Sequence, residues 1–189
     1  MSVMRIILQI IGLVILVPLV AMIAIKIDKQ HADGPSILFP GGELIAGERH
    51  TGPEPDWRFT DDVQIIELQL VNPLSSRRIF VMESDGRVYI PSGYMRSTLG
   101  KIWKDWAFQA DAGDGLAVAR INGVLYPRQL IRVDKGSVLD GIVAKMAQKY
   151  GGGVTPEAIV QGLQSVEDGD TWIFEMAPRI GANKRSLAR

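Results

Sequence analysis

The chain has 189 residues, with 21 basic and 21 acidic side chains, two histidines and no cysteine. The balanced charge gives no general attraction to nucleic acid, and no lysine- or arginine-rich stripe is present, so nucleic-acid binding is excluded as a function class. The absence of cysteine excludes disulfides, thiolate metal sites and a cysteine nucleophile. His31 and His50 stand far apart in loop-like sequence, so no local histidine–carboxylate metal spacing can be assembled.

From Ile6 to Ile25 the only polar side chain is Gln9, and the run lies between Arg5 and Lys26. As a helix it covers roughly 30 Å, the thickness of a bilayer's hydrocarbon core. Residues 5–26 are therefore expected to form a transmembrane anchor behind a four-residue tail, with Pro18 kinking rather than breaking it. A cleaved secretory signal is the competing reading. The run exceeds the usual length of a signal's apolar core, and Ala21 and Ala24 are wrongly spaced for cleavage, so an uncleaved single-pass anchor in the cell membrane is expected. Lys26 and Lys29 after the span nearly balance Arg5 and the amino terminus before it, so the positive-inside bias is close to a tie. A short cytoplasmic N-terminal tail, the usual arrangement, places the C-terminal bulk outside.

Residues 27–60 carry Gly34-Pro35, Pro40-Gly41-Gly42 and Gly52-Pro53-Glu54-Pro55 with no sustained apolar period. They read as an extended connector draped over the domain, pinned by Leu38, Phe39, Leu44, Ile45 and Trp57. The domain itself is expected over residues 61–178. Ile66, Leu68 and Leu70 alternate with polar residues as in a strand with one buried face. Ile79–Glu83 and Arg87–Ile90 flank Asp85-Gly86, and Leu116–Ile121 and Val124–Val133 flank Asn122-Gly123, two dipeptides suited to tight hairpin turns. Pro127 implies a bulge or an edge position.

Between the hairpins, Leu99, Ile102, Trp103, Trp106 and Ala110 recur at helical spacing and predict one helix with an apolar face. Val138–Tyr150 predicts a second, stopped by Gly151-Gly152-Gly153. Thr155 caps a third, with Pro156 at its first position. Trp172, Phe174 and Met176 share one face of a closing strand. The fold class is α+β: a transmembrane helix followed by a mainly antiparallel small barrel with inserted helices. Residues 179–189, with Arg179, Lys184, Arg185 and Arg189 and no acid, read as a solvated basic tail.

The segment from Val88 to Trp106 gathers most of the chain's candidate chemistry. A strand ends in Pro91-Ser92-Gly93, and a helix beginning after Ser97 carries Lys101 and Lys104. Ser92, Arg96, Ser97, Lys101 and Lys104 are of the residue types that hold a phosphate, and Trp103 or Trp106 could stack on a flat ring. A solvated charged face with two core tryptophans explains the same spacing. Elsewhere the glycine runs lack the context of a phosphate loop, His50 reads as a surface histidine, and no Gly-x-Ser-x-Gly elbow is present.

The run from Asp61-Asp62-Val63 through Asp85-Gly86-Arg87-Val88-Tyr89-Ile90-Pro91, then Lys101 with Trp103-Lys104-Asp105-Trp106, then Leu116–Gly123 and Tyr126, resembles the split β-barrel flavin- and deazaflavin-binding superfamily. That group includes the pyridoxamine-phosphate-oxidase-like proteins and the deazaflavin-dependent nitroreductases. The resemblance implies a split barrel that binds FMN or a deazaflavin through its phosphate near Lys101 and Lys104, commonly at a homodimer interface, and an oxidoreductase acting on a quinone- or nitro-type acceptor. Asp105 stands where the family often has a neutral Asn, and Asp111–Gly115 lacks the usual Asn-Pro or Asp-Pro turn. These departures leave open an alternative, a membrane-anchored interaction or assembly module, such as a membrane-complex subunit, that has lost its cofactor.

Overall fold

Alternating side chains build a sheet that curls on itself. The computed structural model describes residues 3–29, 31–37 and 39–179. The expected pinning residue Leu38 and, apart from Arg179, the expected basic tail lie outside the described residues. Helix α1 (Val3–Lys29) is followed by β1 (Glu48–Arg49), a short 3₁₀ turn (Trp57–Asp62), β2 (Ile65–Leu70), β3 (Ser75–Phe80), β4 (Met82–Ser84) and β5 (Arg87–Ser92). Then come α2 (Thr98–Trp103), α3 (Asp105–Ala112), β6 (Leu116–Ile121), β7 (Val124–Val133), α4 (Val138–Tyr150), α5 (Pro156–Glu167) and β8 (Trp172–Pro178).

The 27 residues of α1 make a helix of about 40 Å at 1.5 Å per residue. It is long and apolar enough to span a membrane, it contains Pro18 without interruption, and its most apolar stretch is not covered by the rest of the described protein.

The sheet runs β3-β2-β6-β7-β8-β5-β4 with antiparallel neighbours, and β1 adds a short parallel pairing to β7. Its two edge strands, β3 and β4, are joined through Val81 alone, so the edges must meet and the sheet forms a half-barrel. Asp85-Gly86 and Asn122-Gly123 have the expected positive φ values, 53° and 74° in the first pair, 50° and 79° in the second. Pro127 pairs with Val118 in an unbroken register. On its other side it falls between the short β1 pairing, which ends at Leu125, and the β8 ladder, which begins at Arg128. It therefore occupies a local edge, with no bulge, where no ladder partner needs its missing N–H.

Two apolar clusters follow from the two-residue period. Inward-facing Ile66, Leu68, Leu70, Val88, Ile90, Phe174 and Met176 close around Trp57 and Trp106. On the other face, Tyr89 and Ile173 meet Leu139, Ile142 and Val166 of α4 and α5. Helix α4 has the expected bounds, and the Thr155 hydroxyl caps α5 by accepting from the Ala158 N–H at 3.1 Å.

Three expectations need correction. The strand expected at Ile79–Glu83 is divided between β3 and β4, and β3 starts at Ser75 behind a turn that includes a cis Asn72–Pro73 bond. The single helix expected at 99–110 is two helices, broken at Lys104, where φ is −107° and ψ 22°. Of its expected apolar face, Trp106 and Ala110 are buried but Ile102 and Trp103 project into solvent. Of the expected pins, Leu44 and Trp57 are buried and Phe39 is half-buried, whereas Ile45 is exposed. The segment is held by polar bonds instead. Asp33 accepts from the Ile45 N–H and from Arg120, and Gly41 pairs with Ser76.

Candidate functional site

Between β3 and the C-terminal end of β5, a groove of about 720 Å³ opens. Its walls come from β3 (Arg77–Phe80), the end of β5 (Pro91, then Gly93 and Tyr94), α2 (Ile102, Trp103), Lys104 and Trp106. Ser36, Ile37, Phe39 and Pro40 form one lip, and Met146 and Tyr150 of α4 also line the groove. A second hollow of about 700 Å³ lies on the other side of the same lip and shares Ile37, Phe39, Ile65 and Arg78 with the first.

The six residues singled out from sequence divide sharply. Trp103 and Lys104 line the groove. Ser92 is wholly buried, and its hydroxyl points to the Met95 sulfur at 3.1 Å. The Ser97 hydroxyl is occupied in capping α2, accepting from the Gly100 N–H at 2.8 Å and donating to the Tyr94 carbonyl at 3.0 Å. Arg96 and Lys101 are exposed on the outer side of the α2 turn and do not line the groove. The convergence of all six on one phosphate is thus not what the fold assembles, and α2 is too short to present a strong dipole end.

A residue not singled out from sequence supplies the missing cation. Arg77 shares the inward-facing side of β3 with Ile79 and lies opposite Leu68 on β2. Its guanidinium sits 5.7 Å from the centroid of the Trp106 ring, and one terminal nitrogen donates to the Ser75 hydroxyl at 2.8 Å. Its Nε is buried with no acceptor. Desolvation pushes its pKa down to about 10, which leaves it charged at neutral pH, and the Asp105 carboxylate only partly opposes this. Lys104 is also held below its ordinary value, first by desolvation and then by the positive charge of Arg77. Among the described residues, no carboxylate forms an ion pair with Arg77, Arg78, Arg96, Lys101 or Lys104. Two partly buried cations that repel each other across an aromatic-lined groove are an arrangement that an anion would relieve.

The signal for Arg77 was present but weak. In Ser75-Ser76-Arg77-Arg78-Ile79-Phe80 the two-residue period places Arg77 on the face of Ile79, yet with one apolar residue on that face the strand itself is hard to see.

A second buried arginine differs in having a carboxylate partner, although its Nε, like that of Arg77, is buried without an acceptor. Arg128 donates to Glu54 at 2.7 Å and lies 4.6 Å from the centroid of the Trp57 ring, whose N–H also donates to Glu54. That cluster ties the connector to β7. His50 has a ring nitrogen 2.8 Å from the Pro53 carbonyl and packs beside Tyr126, which fits a structural histidine.

No protein-family model matches the chain, and no curated protein matches it. Among solved structures, it is similar to the crystal structure of the conserved hypothetical protein Rv2991 from Mycobacterium tuberculosis, at 14% identity and a TM-score of 0.47, covering 64% of this chain and 76% of that one. This is a distant likeness.

Proposed function

We propose that the chain is a membrane-anchored half-barrel that holds a phosphorylated flat-ring cofactor, FMN or a deazaflavin, in the groove between β3 and α2, and that it is an oxidoreductase acting on a quinone- or nitro-type acceptor near the bilayer. The supporting observation is the pair Arg77 and Lys104, both desolvated and without a carboxylate partner, beside Trp103, Trp106 and Tyr94. In this reading α1 is the anchor, with residues 6–25 crossing the bilayer, a role supported by the helix's length and apolar character.

In this reading Arg77 and Lys104 bind the phosphate as charge-assisted donors, and the buried Arg77 Nε gains the acceptor it lacks. Trp103 and Tyr94 supply ring contact, and the apolar walls exclude water from one side of the ring. When bound, the cofactor supplies the hydride or electron transfer, and the chain supplies position and charge. Of the residues expected at the phosphate from sequence, Ser97 caps α2 and Ser92 is buried against Met95, while Arg96 and Lys101 are exposed outside the groove lining, so none of the four touches the ligand in this arrangement.

The test is an absorbance titration of the detergent-solubilised full chain with FMN and with a deazaflavin. Binding with a shifted visible band, lost by roughly tenfold in affinity or more in Arg77→Gln, is the expected result, because a charge-assisted bond is worth about 1.5–3 kcal/mol. No spectral change with either compound sinks the cofactor assignment. The alternative, an anchored assembly module, is favoured by the Asp105 carboxylate next to this anion site. It would show as a colourless protein that retains a stoichiometric companion subunit after gentle solubilisation.

A further inference from the structure

The groove's rim has a property that cofactor binding does not require, although Tyr94 and Trp103 belong to both. Ile37, Tyr94, Ile102 and Trp103 all line it and are 82, 73, 72 and 69% exposed, and Phe80 and Ile65 continue the patch. Isolated exposed apolar side chains are ordinary, but six large ones around a single groove form a contiguous patch of the kind that meets a partner or a membrane. Arg78 lines the groove, Arg96 and Lys101 are exposed within two residues of Tyr94 and Ile102 in sequence, and none of the three takes part in an ion pair among the described residues.

Chain length decides what can lie against this patch. The rim residue Ser36 follows Lys29, the last residue of α1, by seven positions, which caps their separation at about 25 Å even in a fully extended chain. The path is shorter than that limit, because it is not extended. The Ala32 N–H donates back to the Lys29 carbonyl at 3.1 Å, and the Ala32 carbonyl accepts from the Gly42 N–H at 3.1 Å. Ala32 is thus bonded both to the end of α1 and to the domain, and one lip of the groove is built from residues soon after it.

We infer that the mouth of this groove docks on the bilayer surface, with Tyr94, Ile102 and Trp103 inserted at the headgroup level and Arg78, Arg96 and Lys101 on anionic lipid headgroups. Tryptophan and tyrosine suit that depth because each joins an apolar ring to a polar tip. Each cation near an anionic surface adds to the attraction. The groove then opens on the lipid phase, so a ligand dissolved in the membrane reaches it without crossing water. This inference rests on α1 being a retained span, the anchor part of the proposed function, and is independent of any cofactor.

Trp103 is a built-in reporter. Trp57 and Trp106 are buried, Trp172 is half-buried beneath the Arg132 guanidinium, and α1 contains no aromatic residue. The full chain is reconstituted in phosphatidylcholine vesicles with and without phosphatidylglycerol, carrying brominated acyl chains. Retention is checked by alkaline carbonate washing and tryptophan emission is recorded. The expected result is a quenched component that disappears in Trp103→Phe, grows with phosphatidylglycerol and weakens in Arg96→Gln/Lys101→Gln. Retention with no quenching of Trp103 overturns the docking and leaves the anchor standing. Loss of the chain in the carbonate wash overturns the anchor and the docking together. Quenching equal in both vesicle types overturns the role assigned to the cations, and Trp103 shielded from bromine by a bound companion protein overturns the bilayer as occupant.

Discussion

At the residue scale, Lys104 shows how the groove holds its charge. Its ammonium is destabilised in the folded state, so its folded pKa lies below the ordinary 10.5. Below that folded pKa both states keep the proton and the folded state bears the full penalty. As pH rises through the window from the folded pKa to about 10.5, the folded state sheds the proton first and the penalty fades. Lys104→Met, which keeps the stem and removes the charge, is expected to be more stable than the parent at neutral pH by under about 1 kcal/mol, since solvent screens a partly exposed amine. The difference closes toward pH 10.5, as urea midpoints at neutral and alkaline pH will show. The same variant is expected to lose phosphate binding, so stability and ligand affinity move in opposite directions. A variant less stable than the parent at neutral pH contradicts the assignment of Lys104 as an unrelieved cation. None of this was legible from spacing. Lys104 was recognisable as a candidate beside a helix, but the charge that perturbs it comes from Arg77 on a strand 27 positions earlier, brought near only by the curling of the sheet.

At the element scale, the sequence was most legible where one local rule acted alone. Asp85-Gly86 and Asn122-Gly123 fixed two hairpins, Thr155-Pro156 fixed the start of α5, and the three-glycine run fixed the end of α4. It was least legible around Lys104, where the helical period continues through a break and assigns Ile102 and Trp103 to a core they do not enter. Apolar spacing reports what repeats, not what covers it, and here the rim of a groove carries the same pattern as a buried face. The short α2 is held by tight local geometry instead. A Cβ placed on Gly100 would lie 1.7 Å from the Tyr94 carbonyl oxygen and 2.7 Å from the Ser97 hydroxyl. Gly100→Ala must therefore push the first turn of α2 away from its cap. The expected cost is about 1–3 kcal/mol in denaturant unfolding, the range for overpacked sites. A shift in Trp103 emission is expected with it, because the tryptophan sits at the other end of the same turn. Unchanged stability would mean that α2 is free to move as a unit and does not set the groove wall.

At the scale of the whole molecule, the half-barrel depends on how its two edges are held together. Val81, the single residue between β3 and β4, is fully buried, and it leaves one edge strand to begin the other. Its backbone groups would be costly without partners. The C-terminal end of α4 supplies them. The Tyr150 hydroxyl accepts from the Val81 N–H at 3.0 Å and has the Gln64 carbonyl within donating distance at 2.9 Å, while the Lys149 ammonium donates to the carbonyls of Val81 and Thr60 at 2.7 and 2.6 Å. Tyr150 also lines the groove and packs on Phe80, with ring centroids 4.3 Å apart, so the residue that closes the seam is part of the site wall. Tyr150→Phe retains the ring contact and removes the hydroxyl, stranding a buried N–H. The expected loss is about 1–3 kcal/mol of stability, the desolvation cost of one unpaired backbone group. Hydrogen exchange should localise it: the amides of β3 and β4 lose protection, while those of β6 and β7, in the middle of the sheet, keep theirs. If protection falls evenly across the sheet, the seam is not a separate unit and the groove is as rigid as the core. If it falls at the edges alone, the groove lies on the part of the fold that opens most easily, where a ligand bridging β3 and α2 would bind and also close the barrel.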